Sequence, residues 1–123
     1  MEGFAVTYSR VPLPRAWRKA WQRLARKARR VGFRVPPIRV EAWDGLKCDR
    51  DAVLGLTRRS RGRLVVQLDL NDDDRNDTMA HELAHAIASQ MVNDNHPHHA
   101  VTWGAVYGIV YSVTYRFAVE GAK

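Results

Sequence analysis

The chain predicts an α+β fold: an N-terminal helix, a three-stranded antiparallel sheet, then two further helices. Three observations carry that expectation. Apolar residues recur at helical spacing from Trp17 to Val31, strand-like runs fill residues 38–70, and residues 79–92 are apolar nearly all round before a last helical stripe opens beyond Pro97.

Taken in order, Pro12 and Pro14 precede the first helix, whose Trp17, Trp21, Leu24, Ala28 and Val31 share one face, and Gly32 is its natural stop. The tryptophan stripe is therefore expected on the core. Residues 38–43 alternate and Asp44-Gly45 is a turn signal, while residues 52–58 and 63–70 read as two strands joined by a turn at Ser60-Arg61-Gly62. Asn71 or Asp72 is expected to cap the next helix, and the run Asp72-Asp73-Asp74 suits the positive end of its dipole without invoking a metal. In the last helix His99, Trp103, Val106, Val110, Val113 and Phe117 recur at steps of four and three, so His99 heads its buried stripe.

With 123 residues and 46% hydrophobic content, the chain is expected to form one domain, residues 1–123, around a modest core. The single Cys48 can form neither an internal disulfide nor a cysteine zinc site, which suits a reducing intracellular setting; its expected place is small and partly buried. Residues 1–6 lack a basic start followed by a long apolar run, and no stretch approaches the ~18 apolar residues that span a bilayer. The expectation is a soluble cytoplasmic protein with no membrane partner.

Chemistry concentrates in His81-Glu82-Leu83-Ala84-His85. Two imidazoles four residues apart stack on one face of a helix and can grip a single zinc ion, with Glu82 one position round. Zinc prefers a tetrahedron of nitrogen and sulfur ligands, and a catalytic site uses three protein ligands and keeps the fourth position for water. Of the five histidines, the three outside the motif are His96, His98 and His99. Geometry favours His99 as the third ligand, because His98 points about 100° away on an ideal helix and His96 precedes the Pro97 turn. Asp94 is a weaker oxygen alternative. Asp77, one turn before His81, is placed either to orient that imidazole or simply to suit the helix dipole. Tyr107 and Tyr111 are candidates to help an oxyanion, packing being the alternative use of each.

The order His-Glu-x-x-His, a short loop, then His99-Ala100-Val101-Thr102-Trp103 resembles the SprT-like metallopeptidases, whose third zinc ligand begins a His-Gly-x-x-Phe/Trp segment. Residues 53–56 and 63–68 are similar to that family's two strands before the metal helix, and the resemblance covers residues 14–118 in layout. Ala100 departs from the family's glycine, and no Cys-x-x-Cys ribbon follows. Other zincins fit less well: a metzincin would carry Gly and His where this chain has Ala88 and Met91, and a gluzincin would need a downstream glutamate where only Glu120 is available. The resemblance implies a zincin-like fold, Zn2+ as cofactor and a protein substrate. In zincins an extended substrate lies beside the edge strand before the metal helix, so residues 63–70 are expected to be that edge. The zinc would acidify its water toward pH ~7 and polarise the scissile carbonyl. Glu82 would accept the water proton as general base and hand it to the leaving amine.

The net charge of +7 is unevenly spread. Between Glu2 and Glu41 there is no acidic residue, while eleven basic ones (Arg10, Arg15, Arg18, Lys19, Arg23, Arg26, Lys27, Arg29, Arg30, Arg34 and Arg39) fall there, and Arg58, Arg59, Arg61 and Arg63 mark the strand turn. A one-signed helix face repels itself unless something anionic meets it, and phosphate backbone is the common answer, a solvated helix being the alternative. The candidate nucleic-acid contacts are Arg18, Arg23, Arg26, Lys27, Arg30, Arg59 and Arg61. The resemblance tilts toward DNA, since that family includes proteases acting on protein bound to DNA. The competing class is a nucleic-acid-binding or interaction module that keeps zinc as a structural pin without hydrolysing anything; a carboxylate beside the water position, Glu82, favours the enzyme.

Overall fold

The computed structural model describes residues 6–91 together with Gly108, Tyr111 and Ser112. Eight elements are laid out: β1 (Ser9–Val11), α1 (Arg15–Arg30), β2 (Ile38–Asp44), β3 (Leu46–Cys48), β4 (Asp51–Val53), β5 (Gly55–Ser60), β6 (Arg63–Asp69) and α2 (Arg75–Met91). Gly108, Tyr111 and Ser112 are helical, in the stretch where the last helix was expected.

Local chemistry sets both ends of α1. Pro14, with φ of −58°, precedes the first helical residue, and its carbonyl accepts from the amides of Trp17 and Arg18. At the other end Gly32 adopts φ of +104°, its amide donating to Arg29 O while Phe33 N donates to Ala28 O. Those two bonds form a Schellman closure, with Phe33 packed back on the core. Trp17, Trp21, Leu24 and Ala28 are buried as the helical spacing predicts. Val31 is not: it sits just past the last turn, 53% exposed.

The sheet corrects the sequence expectation. It is four-stranded and mixed, ordered β1-β2-β6-β5, with β2 parallel to β6 and the other neighbours antiparallel; β3 and β4 pair separately. Three strands all antiparallel would require the chain to fold back at Asp44-Gly45. Instead Gly45, at φ of +90°, donates its amide to the Asp69 carboxylate, and the small β3–β4 hairpin takes up residues 46–53 before the main sheet resumes. The predicted strand over residues 52–58 is accordingly split at Leu54. Cys48, expected partly buried, is exposed on this hairpin. Arg61 and Gly62 both have positive φ, giving the type I′ turn that joins β5 to β6.

The expected edge strand over residues 63–70 is a second correction. β6 lies between β2 and β5, and Leu64 to Asp69 are all buried, as an interior strand should be. The edges are β1 and β5. One sheet face, with Ala42, Val66 and Leu68, meets Trp17, Trp21 and Leu24 of α1 and Met79, Leu83 and Ile87 of α2 in one core cluster. On the other face Glu41 accepts hydrogen bonds from Gln67 Nε2 and Trp43 Nε1, both at 3.1 Å, and pairs with Arg10 and Arg39. Among the described residues no helix is long and apolar enough to cross a membrane.

Candidate metal centre

The helix carrying the histidine motif begins later than Asn71 or Asp72. Asp72 Oδ1 accepts the amide of Asp74 at 2.8 Å, and the Asp74 carbonyl then accepts from the amide and hydroxyl of Thr78. Asp74 thus stands at the helix entrance, while Asp72 shapes the loop before it. That loop is anchored to the sheet by Asp69 Oδ1, which receives the amides of Gly45 and Asn71 and the Asn71 side chain.

On α2 the buried residues are Met79, Ala80, Leu83, Ala84, Ala86, Ile87 and Ala88, joined by Glu82. Of the motif's polar residues Glu82 is buried, whereas His81 is exposed and His85 half-buried. The Nε2 atoms of His81 and His85 lie 3.2 Å apart, with ring centroids at 4.9 Å. Two nitrogens at zinc-bond length in a tetrahedron sit about 3.3 Å from each other. The pair therefore has the spacing of two ligands on one ion. Among the described residues no cluster of three or more His, Cys, Asp or Glu completes such a site. The expected third ligand His99, with His96, His98 and Asp94, lies outside the described residues.

Glu82 points between α2 and the edge strand β5. Its Oε1 accepts the Thr57 hydroxyl at 2.6 Å, and the same hydroxyl approaches the Glu82 carbonyl at 3.2 Å. Burial pushes its carboxyl up to about 7 against the opposing pull of the Thr57 hydrogen bond. A carboxyl in that range can both take and return a proton near neutral pH. Gly55, the first residue of β5, leaves the room this carboxylate occupies: a Cβ there would lie 2.8 Å from Glu82 Oε2. Thr57 and Gly55 escaped sequence reasoning because only strand register brings them to Glu82. The one available signal was their placement two apart, on one face of a strand.

Tyr111 reaches the same helix. Its hydroxyl donates to Asp77 Oδ1, and its ring stands edge-on to His81 with centroids 5.5 Å apart. Of the two roles expected for Tyr111, packing against the histidine helix is the one the geometry displays, and Asp77 serves as its acceptor. Tyr107 lies outside the described residues.

The basic candidates fall in two places. Arg18, Arg23, Arg26 and Arg30 are exposed on α1 opposite its tryptophans and Lys27 is half-buried; Arg59 and Arg61 are exposed at the β5–β6 turn. Arg10 and Arg39 are engaged with Glu41 at 3.4 and 3.2 Å, so two members of the N-terminal basic group are partly neutralised by an acid. Compared with known proteins, the chain matches no family model, no curated protein and no solved structure.

Proposed function

We propose that this protein is a zinc-dependent metallopeptidase with Glu82 as its general base, in line with the SprT-like resemblance of its histidine motifs. The observation that carries the reading is the His81–His85 nitrogen pair at 3.2 Å beside a buried Glu82 whose carboxylate is held by the Thr57 hydroxyl at 2.6 Å. His81 and His85 would hold the ion, with His99 as third ligand. When bound, zinc would supply an acidified water and polarise the scissile carbonyl. Glu82, oriented by Thr57, takes the proton of the attacking water and delivers it to the departing amine. Tyr111 and Asp77 hold the His81 end of the helix in place.

The substrate lies along β5. In the β5–β6 hairpin the hydrogen-bonded pairs alternate with non-bonded ones, and the bond from Asp69 N to Leu54 O sets the parity. Gly55, Thr57 and Arg59 therefore turn their backbone N–H and C=O away from β6, toward the sheet edge. An extended peptide pairing there passes Glu82 through main-chain contacts that are indifferent to its side chains. The Arg face of α1 and the β5–β6 turn would recruit DNA, so the natural substrate is a protein associated with it.

Metal analysis together with proteolysis tests this reading. Wild type should hold one zinc per chain and cleave an unfolded protein such as casein. Glu82→Gln should keep zinc and fold and lose about 10²–10⁴-fold in rate. His99→Ala should lose zinc, while His96→Ala and His98→Ala keep it. A Glu82→Gln variant as active as wild type removes Glu82 as base. A zinc-loaded wild type that cleaves nothing, with or without DNA, leaves a zinc-pinned binding module.

A further inference from the structure

We propose that this site prefers protein segments carrying a large aliphatic side chain next to the cleaved bond, an inference that rests on the peptidase reading and names its substrate class. Main-chain pairing along β5 fixes where a chain lies without choosing its side chains, so the choice falls to the β5 side chains beside it. Leu56 is the central one. It stands opposite Gln67, which donates to Glu41 on the sheet face away from α2, so Leu56 lies on that face as well. Leu54 is one pair further along, its carbonyl still accepting Asp69 N, and strand alternation returns its side chain to the same face. β5 ends the sheet, and among the described residues no strand borders its outer side. Leu56 is accordingly half-buried, and Leu54 is 54% exposed.

A chain added antiparallel to that outer edge bonds to the main chain of Gly55 and Thr57. The residue it sets beside Leu56 therefore takes a non-bonded position, where facing Cα atoms come within about 4.5 Å. Its side chain points away from α2, onto Leu56 and diagonally onto Leu54. Glu82 reaches the same stretch from the opposite face. Its Oε1 accepts the Thr57 hydroxyl at 2.6 Å, and a Cβ on Gly55 would lie 2.8 Å from its Oε2. The carboxylate thus spans the two residues that flank Leu56, and the peptide bond it serves adjoins the residue that rests on Leu56. An aliphatic side chain there takes apolar surface of both partners out of water, whereas a polar one gives up its own hydration against two leucines. Arg58, exposed two positions on, marks the end of the aliphatic patch on this face.

Two readouts separate the inference from the reading it rests on. In the first, labelled peptides of alanine and serine with one central Leu or Asn are titrated onto zinc-loaded Glu82→Gln protein. A cross-strand apolar contact is worth up to about 5-fold in affinity, so the Leu peptide should bind about 5-fold tighter. Leu54→Ser, at an exposed position, should reduce that advantage, and Leu54→Ser/Leu56→Thr should abolish it. Val31→Ser, which removes an equally exposed aliphatic group at the end of α1, should retain it, as should Arg58→Gln. Far-UV circular dichroism verifies the fold of each variant. In the second readout, mass spectrometry of wild-type digests should place the highest kcat/KM at bonds immediately before or after the Leu.

Equal binding of Leu and Asn peptides, or an advantage that Val31→Ser removes as readily as Leu54→Ser, overturns the proposal. So does sedimentation of the wild type as a dimer that Leu54→Ser disperses, which would assign the patch to a second copy of the chain. Selective binding without any cleavage upholds aliphatic recognition and overturns the peptidase reading instead. Cleavage indifferent to the Leu overturns the inference and leaves the peptidase reading standing.

Discussion

Replacing Gly55 with alanine would set a methyl carbon 2.7 Å from Thr78 Cγ2, 2.8 Å from Glu82 Oε2 and 3.0 Å from Glu82 Cγ. The backbone at Gly55 is outside the left-handed region, so the conflict is one of space alone. Neither neighbour yields easily. Glu82 is 5% exposed and held by Thr57 at 2.6 Å, while the Thr78 hydroxyl is tied to the Asp74 carbonyl at 3.3 Å. Overpacking of this kind costs about 1–3 kcal/mol. For a domain of this size each kcal/mol lowers Tm by roughly 3–6 °C, which gives an expected fall of about 3–18 °C by scanning calorimetry. Thr78→Ser keeps the hydroxyl and removes the methyl that the new carbon meets first. The Gly55→Ala/Thr78→Ser double variant should therefore recover part of the loss, with a coupling of about 0.5 kcal/mol or more in the cycle. The displaced carboxylate should also lower kcat more than it raises KM. A Gly55→Ala protein melting within about 1 °C of wild type, or a double variant no better than the single, would refute the argument that β5 and α2 are packed to the atom at this point.

Glu41 gives a test of the opposite sheet face. Burial raises its carboxyl, but the hydrogen bonds from Gln67 and Trp43 and the nearby Arg10 and Arg39 outweigh that and leave it below its usual value of 4.5. A depressed folded pKa stabilises the fold above the unfolded value, and the contribution is lost as pH falls through the folded one. Urea titrations should find Glu41→Gln less stable than wild type at pH 7, with the gap narrowing at pH 3; equal gaps would remove the charge argument. For the α1 face, reversing Arg23, Arg26 and Arg30 to Glu should weaken binding of single-stranded DNA without unfolding the domain. The log–log salt dependence should shrink by about 0.7 for each phosphate that the helix no longer neutralises, and an unchanged slope would take the helix out of the interface.

Features set by neighbours in sequence could be read before any tertiary contact was known. The i, i+4 spacing of His81 and His85 puts both rings on one face of α2, where their nitrogens lie 3.2 Å apart, and the Trp17, Trp21, Leu24, Ala28 stripe buries as its period requires. The stop at Gly32 and the turn at Arg61-Gly62 follow from short-range backbone preference. Val31 shows the limit of that reasoning, because the helix closed one residue before the stripe did. What sequence did not determine was which strand lies beside which. Residues 63–70 read equally well as an edge or an interior strand, and only parallel pairing with β2, across about 26 positions, placed β6 inside the sheet and made β5 the edge. That choice brings Thr57 and Gly55 to Glu82 and Gln67 to Glu41. A helix fixes which of its side chains share a face through bonds four residues long, whereas a strand has no partner until the whole chain has chosen one. The histidine pair was therefore placed on one helix face by local spacing, and the environment that raises the neighbouring Glu82 carboxyl was decided by the sheet.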